Sequence, residues 1–351
     1  MKEENSLVSS TEVGSLGVLH LKRLWSRVTS HQSRPRNGDR ANEWDLDRVV
    51  IHGLGLSLEE TLQYLAQQAP GYSEFEHWIL QKNEGTIDRT CIDRINSAIS
   101  GTSYSKAVQE QIEEIESAAP VLSADDLSFW KENGYVIVHD AVSKENCEAA
   151  EGSIWEFMGA DSSDPDTWYK TPGTYGIMLQ FFHHPALAAN RRSQRIRKAF
   201  AQIWRTADLW VTVDRVSFNP PERDGWRFPG PHLHWDTRLD PPIPFGVSGL
   251  LYLTDTSADQ GAFRCVLGFH RRISHWLKSL PADADPRRQD LERLGAIPIA
   301  GKSGDLIIWT KSLPHGSGPN RARLPRIAQY IAMHPTHARL VGKDLPTIPK
   351  A

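Results

Sequence analysis

The chain has 351 residues, 40 Lys and Arg against 43 Asp and Glu, 39% hydrophobic residues and 12 Trp, which is enough for one large domain and a smaller one. Near-balanced charge gives no argument for nucleic acid or an anionic membrane as partner, and the apolar content excludes a disordered chain. Cys91, Cys147 and Cys265 are scattered and form no CxxC pair, which excludes a zinc–thiolate knuckle and reads as free thiols in a reducing compartment.

The N-terminus, MKEENSLVSSTEVGSLG, is polar and has no apolar core of a secretory signal. No run approaches the roughly 18 apolar residues of a membrane span, so a cytoplasmic protein is expected. Residues 13–30 carry apolar positions at helical spacing, with Lys22, Arg23 and Arg27 on the other side. A helix docked on its own protein or on a second subunit is the expected reading, and a basic helix on a membrane surface is the alternative. Residues 31–44 read as a loop. Ser57 with Glu60 and Ser73 with Glu76 form capping boxes before LEETLQYLAQ and FEHWILQK, and residues 103–118 are a third helix candidate. No strand pattern and no chemical motif precede residue 134. Residues 1–119 are therefore expected to form an all-helical region for docking, dimerisation as a homodimer, or lid formation, followed by a second domain over 120–351.

Ser123 can cap a helix through Trp130, Gly134 ends it, and YVIVHD at 135–140 is a strand. A helix capped at Ser143 runs to about Met158, and residues 185–206 are helical. From residue 208 the pattern is mainly β. Strands are expected at 209–218, 231–236, 246–255, 262–267, 305–310 and 326–334, with a helical insertion over roughly 271–294. Many short strands punctuated by Pro, Gly, Asn and Asp suggest a sandwich or jelly roll, a mainly β fold with flanking helices.

His234-Trp235-Asp236 is the first chemical candidate. Residues two apart on a strand share a face, so both side chains can grip one ion. Two His and one carboxylate suit Fe(II) and leave three coordination positions free. HxD alone is weak, because a surface strand pair fits it as well. Pro314-His315-Gly316-Ser317-Gly318, just past an apolar strand, supplies a further His. Arg326, eleven residues after His315, sits among apolar residues. A buried guanidinium needs an anion, and its planar fork suits a carboxylate, to which Ser317 can also donate. The rival for Arg326 is a structural salt bridge.

These residues resemble the phytanoyl-CoA dioxygenase family of Fe(II)/2-oxoglutarate oxygenases over roughly residues 123–336. LSFWKENGYVIVHDAVS resembles the family's opening helix and first strand, and HLHWD its HxD segment. DQGAFRCVLGFHR resembles "NGxLxxxPGSHR", and GDLIIWTKSLPHGSGPNRARLPRIAQY closely resembles the last motif. Leu267 and Phe269 depart from the family's Pro and Ser, in a loop that holds no proposed ligand. The resemblance implies a double-stranded β-helix (jelly-roll, cupin-like) core. It implies iron held by His234, Asp236 and His315, and 2-oxoglutarate held through its far carboxylate by Arg326 and Ser317. Tyr252, sixteen residues past Asp236, is a candidate contact to 2-oxoglutarate, with core packing as the other reading. With O2 as co-reactant, the expected reaction is hydroxylation of a small or mid-sized metabolite, with release of succinate and CO2. The carboxylate at Asp236 favours hydroxylation over the halogenation performed by relatives with a small residue there.

Rivals remain open at this level. The same iron site could desaturate or epimerise, or the fold could be a jelly-roll binding protein with a vestigial site. His232 lies two residues before His234 and could form another triad, line the pocket or support a ligand from behind. His270 reads as structural, His183 and His184 carry no assigned role, and Gln180, Lys170 and Arg223 are weak pocket candidates. The Arg-rich stretch 190–198 reads as a solvated helix face.

Overall fold

The computed structural model describes residues 8–29, 40–169 and 176–336. Helices in chain order are α1 (Leu21–Thr29), α2 (Arg40–Gly53), α3 (Leu58–Gln68), α4 (Tyr72–Lys82), α5 (Arg89–Ser100), α6 (Lys106–Ser117), α7 (Ala124–Asn133), α8 (Lys144–Met158), α9 (Pro185–Arg191), α10 (Gln194–Trp204) and α11 (Phe269–Ser279). Strands are β1 (Tyr135–Val138), β2 (Met178–Leu179), β3 (Leu209–Val211), β4 (Val216–Asn219), β5 (Val247–Tyr252), β6 (Phe263–Cys265), β7 (Ile297–Ile299), β8 (Leu306–Thr310), β9 (His315–Ser317), β10 (Arg326–Tyr330) and β11 (Met333–Pro335). Lys170 and the segment 31–39 of the expected first loop lie outside the described residues.

Contacts divide the chain into two units, the first being Met1–Ser117 with Thr206–Val213 and Pro335–His337. In the first unit, α1 buries Leu21 and Leu24. Its basic side chains are all engaged: Lys22 with Glu12, Arg23 with Glu43 and Arg27 with Asp47. The membrane-surface alternative is corrected by these pairings, since the cationic face serves the unit's own acids. The sequence also hides α2, which starts inside the segment read as a loop. Ser57 caps α3 as expected, accepting from the Glu60 N–H. Ser73 does not cap α4. That helix starts at Tyr72, Gly71 is its cap, and the Glu74 carboxylate accepts the Gly71 N–H at 2.7 Å. Glu76 is buried and instead accepts from the backbone N–H groups of Ser15 and Leu16 at 3.2 and 2.9 Å.

The later segments complete this unit chemically. The Asp208 carboxylate accepts from Arg94 and from the Tyr104 hydroxyl, each at 2.8 Å. Trp210 joins the unit's apolar core, under the Arg94 guanidinium at 4.1 Å, and its indole N–H donates to Thr336 at 2.7 Å. A cation over a Trp face and a satisfied indole explain why this short strand is retained by helices more than 100 residues earlier in the chain.

The second unit combines helices with antiparallel sheets. Six strands form one sheet in the order β1-β8-β5-β10-β4-β2, and three form another in the order β7-β6-β9. The register sets Trp309 opposite both Tyr135 and Ser248, Tyr252 opposite Ala328, and Arg326 opposite Asn219. Cross-strand partners share a face. One face therefore carries Ser248, Leu250, Tyr252, Ile307, Trp309, Ala328 and Arg326. Five of these, Leu250, Tyr252, Ile307, Trp309 and Ala328, pack with Phe263, Cys265 and Ile299 of the smaller sheet into one core. Gly249 points the other way, and a Cβ there would lie 2.5 Å from the Ile331 carbonyl oxygen, so β5 tolerates only glycine at that approach.

Tertiary demands split several expected elements. Residues 185–206 are two helices, because Ser193 ends the first turn region and caps α10 through the Ile196 N–H. The expected strand 209–218 is β3 and β4, broken where the Asp214 carboxylate takes the Arg215 N–H. The expected strand 326–334 is β10 and β11. Among the described residues no helix is long and apolar enough to cross a membrane, and all three cysteines are free.

Candidate metal centre

The segment 231–236 is not a strand. It meets β9 through one two-bond bridge, His234 N–H to the His315 carbonyl at 2.9 Å and His315 N–H to the His234 carbonyl at 3.0 Å, and through the Ser317 N–H, which donates to the Pro231 carbonyl at 3.0 Å. That bridge is sufficient. It fixes the backbone of both His residues against each other, and the extended backbone brings Asp236 to the same side as His234.

The ring nitrogens then sort themselves. His234 Nδ1 lies 2.7 Å from the His232 carbonyl oxygen, and His315 Nδ1 lies 3.0 Å from the Leu313 carbonyl oxygen. A carbonyl only accepts, so each Nδ1 carries the proton and each neutral ring leaves a lone pair on Nε2. These two Nε2 atoms face the Asp236 carboxylate at 3.4 and 3.2 Å. Three lone-pair donors therefore converge within 4.8 Å of one another, the one such group of His, Cys, Asp or Glu among the described residues. Lone pairs at this spacing repel unless a cation lies between them. Without a metal, protons take that role. Burial alone would raise the Asp236 carboxyl, but hydrogen bonds and charge from His234 and His315 hold it far below the ordinary carboxylate range. Burial would lower His234, and the Asp236 carboxylate overrides this and raises it. The donor set, two imidazoles and a carboxylate with Nδ1 locked from behind, suits Fe(II).

His315 is buried, while Asp236 remains about half exposed at 49%. The group thus stands in the wall of an open cavity of about 790 Å³, a size suited to a small or mid-sized ligand. Ser317, His232, Trp309 and Tyr330 also line it. Arg326 lies behind Ser317. It is fully buried, and its Nη2 donates to Ser317 Oγ at 3.1 Å, while Nε and Nη1 have no partner. The structural salt bridge considered for Arg326 is absent among the described residues. A permanently charged guanidinium held dry with two orphan N–H groups is costly, and an anionic ligand offsets that cost.

The other candidates divide by what they touch. Tyr252 does not line the cavity. Its hydroxyl donates to the Ile299 carbonyl at 2.8 Å and accepts the Phe263 N–H at 2.9 Å, stitching the large sheet to the small one. The expected contact to 2-oxoglutarate is corrected to a tie within the core. Tyr252→Phe removes both bonds and strands the Phe263 N–H, so thermal unfolding should show a loss of about 1–3 kcal/mol with cosubstrate affinity unchanged. His232 lines the cavity and sets its ring edge-on to Phe228 at 5.5 Å, but joins no ligand group. His270 Nε2 donates to the Lys131 carbonyl, and His184 caps α9. Arg223 stacks on Tyr169 and pairs with Asp166 at 2.7 Å. In the Arg-rich stretch, Arg191 is buried and donates to the Phe182 carbonyl, contrary to a uniformly solvated face. Trp309 beside His315 and the glycine at 249 were not singled out by sequence reasoning, since a Trp or Gly in an apolar run carries no chemical signature.

Comparison with known proteins finds solved structures that are similar over part of the chain. The non-haem alpha-ketoglutarate-dependent carbocyclase SnoK from nogalamycin biosynthesis is 17% identical, with 62% of this chain and 87% of that one covered at a TM-score of 0.44. HygX from Streptomyces hygroscopicus, with nickel and 2-oxoglutarate bound, is 14% identical, with 62% and 88% covered at 0.44. EvdO2 from Micromonospora carbonacea var. aurantiaca is 17% identical, with 62% and 91% covered at 0.42. No curated protein sequence matches the chain. The family model for phytanoyl-CoA dioxygenase matches residues 130–328, more than half of the chain and spanning every residue of the cluster and Arg326. The chain belongs to the phytanoyl-CoA dioxygenase family of non-haem iron, 2-oxoglutarate-dependent dioxygenases.

Proposed function

We propose that residues 120–351, apart from the segments 206–213 and 335–337 that join the first unit, contain a double-stranded β-helix dioxygenase domain that hydroxylates a small or mid-sized metabolite, and that residues 1–119 are a helical module added to it. The observation that carries the reading is the convergence of His234, Asp236 and His315, whose lone pairs require a cation, one wall away from the orphan guanidinium of Arg326. His234, Asp236 and His315 would hold Fe(II), and Arg326 with Ser317 the far carboxylate of 2-oxoglutarate. When bound, iron and 2-oxoglutarate supply the oxidising chemistry: O2, 2-oxoglutarate and a substrate C–H bond give succinate, CO2 and a C–OH group.

The chain's own residues do the positioning. The carbonyls of His232 and Leu313 lock the two imidazoles with Nε2 turned to the cluster, so a cation has only to displace the protons shared with Asp236 and no ring need turn. Asp236 supplies the negative charge that matches a divalent cation and occupies the position that halogenating relatives leave to halide. Arg326 and Ser317 sit in a dry interior, where charge-assisted hydrogen bonds are strongest. Phe263 and Trp309 pack on His315 at 6.0 and 5.0 Å and keep water from its ring.

Anaerobic mixing of the purified protein with Fe(II) and 2-oxoglutarate is expected to give a visible charge-transfer band, and admission of O2 to give succinate. Absence of both the band and succinate, with any candidate metabolite, would remove the enzymatic reading and leave a binding protein with a vestigial site.

A further inference from the structure

Trp309 is the unexplained polar group of the site. It lies on β8 between β1 and β5, with 2% of its surface exposed, and lines the cavity. Its ring packs on Phe263 at 4.5 Å and on the His315 ring at 5.0 Å. Its indole N–H is buried and has no acceptor. Four other buried tryptophans each satisfy theirs. Trp168, Trp204, Trp210 and Trp235 donate to Asp161 O, Met333 O, Thr336 Oγ1 and Ser312 O at 2.8, 2.9, 2.7 and 3.2 Å. A stranded buried donor is unfavourable, and phenylalanine would pack on His315 without that penalty.

The orphan has company. Nε and Nη1 of Arg326, on the same face of the sheet, are also buried donors without acceptors. The inner wall beside the metal cluster thus offers N–H groups at two places and asks for a ligand rich in oxygen lone pairs. The two places are distinguished by their neighbours. Arg326 is bonded to Ser317, whereas Trp309 lies against His315, one of the three cluster residues.

We propose that the Trp309 indole N–H donates a hydrogen bond to the keto-acid end of bound 2-oxoglutarate, the end nearest the metal, while Arg326 and Ser317 take the far carboxylate. The inference rests on the function proposed above. A neutral donor is suited to that end. It binds and orients the carboxylate or keto oxygen without adding a positive charge that would compete with the metal, and an arginine there would do so. The ring is packed against Phe263 and His315, which adjoin each other on the small sheet, and it is almost wholly buried, so the N–H direction is fixed before the ligand arrives.

The test uses the full-length protein loaded with Mn(II) under argon, and calorimetric titration with two ligands: 2-oxoglutarate, and 2-oxobutyrate, which has the keto-acid end but no far carboxylate. Trp309→Phe keeps an aromatic ring beside His315 and deletes the N–H. It is expected to raise the dissociation constant about tenfold for both ligands, the lower end for a hydrogen bond to a charged group, with Mn(II) affinity and melting temperature unchanged. Arg326→Met should weaken 2-oxoglutarate alone. An unchanged 2-oxoglutarate affinity in Trp309→Phe overturns the proposal. So does an equal loss of Mn(II) and 2-oxoglutarate affinity, which would make Trp309 a packing support for His315. If Trp309→Phe does not fold, 3-benzothienylalanine at position 309 replaces N–H by sulfur in a ring of the same shape, and the same outcomes decide. Failure of the unsubstituted protein to bind 2-oxoglutarate is a separate result that removes the proposed function along with this inference.

Discussion

Asp236→Ala is expected to lower succinate formation by about three orders of magnitude and to abolish stable Fe(II) loading. Losing even an outer partner of a metal ligand costs about 10–100-fold in affinity, and here the only carboxylate of the three is removed. What remains is two imidazoles without negative charge, both still locked by the His232 and Leu313 carbonyls. The fold should survive, because Asp236 is half exposed and, among the described residues, its side chain pairs with His234 and His315. The raised proton affinity of His234 derives from that carboxylate. An NMR titration should therefore find His234 titrating at lower pH in the metal-free variant than in the metal-free parent. Asp236→Glu keeps the charge and should recover part of the metal binding. Full metal loading and turnover in Asp236→Ala would show that the carboxylate is not a ligand.

Arg326→Met separates stability from function in the opposite sense. It should raise the dissociation constant for 2-oxoglutarate at least 100-fold, since at least two charge-assisted hydrogen bonds of about 1.5–3 kcal/mol each are lost. Metal affinity should not change. Yet the ligand-free variant should melt no lower than the parent, and even higher. Arg326 is fully buried with two unpartnered nitrogens, and replacing an uncompensated buried charge by an apolar side chain of similar volume removes a desolvation cost. Adding 2-oxoglutarate at about 100 times its dissociation constant should stabilise the parent by about 2.7 kcal/mol and leave the variant's melting temperature where it was. Scanning calorimetry with and without 2-oxoglutarate reads both effects. A large loss of stability together with a loss of metal binding would make Arg326 a structural element.

The cluster was legible because its chemistry is local to three short motifs. HWD, HGS and the Arg eleven residues after His315 are readable at any contrast, and the spacing between them matched a known family. What was not legible is how the backbone delivers them. The argument from strand periodicity placed His234 and Asp236 on a strand, whereas a single bridge to His315 does the work, and no periodicity announces one bridge. Tyr252 illustrates a second limit. Sequence placed it on the correct strand, but whether a phenol reaches a cavity or a neighbouring carbonyl depends on the sheet packed against it. Trp309 is the converse case: its side chain reads as core, and only the absence of an acceptor for its N–H marks it. Among the helices, α3 and α7 followed their capping residues, because Ser57 and Ser123 make the bonds their sequence neighbours invite. At α4 the nearer acid, Glu74, took the cap, and Glu76 was drawn into the interior by Ser15 and Leu16. Local rules lose where a distant backbone offers a better donor.

The first unit is assembled from three stretches of chain, and this has a consequence for synthesis. Arg94 and Tyr104 have no Asp208 to hold until residue 208 has left the ribosome, and the Trp210 indole has no Thr336 to bond until residue 336 has done so. A nascent chain ending at Ser117 carries six helices around a gap where an indole belongs. Vectorial folding, in which one unit is finished before the next is made, is therefore not open to this unit: its helices wait for residues 206–213 and for Thr336.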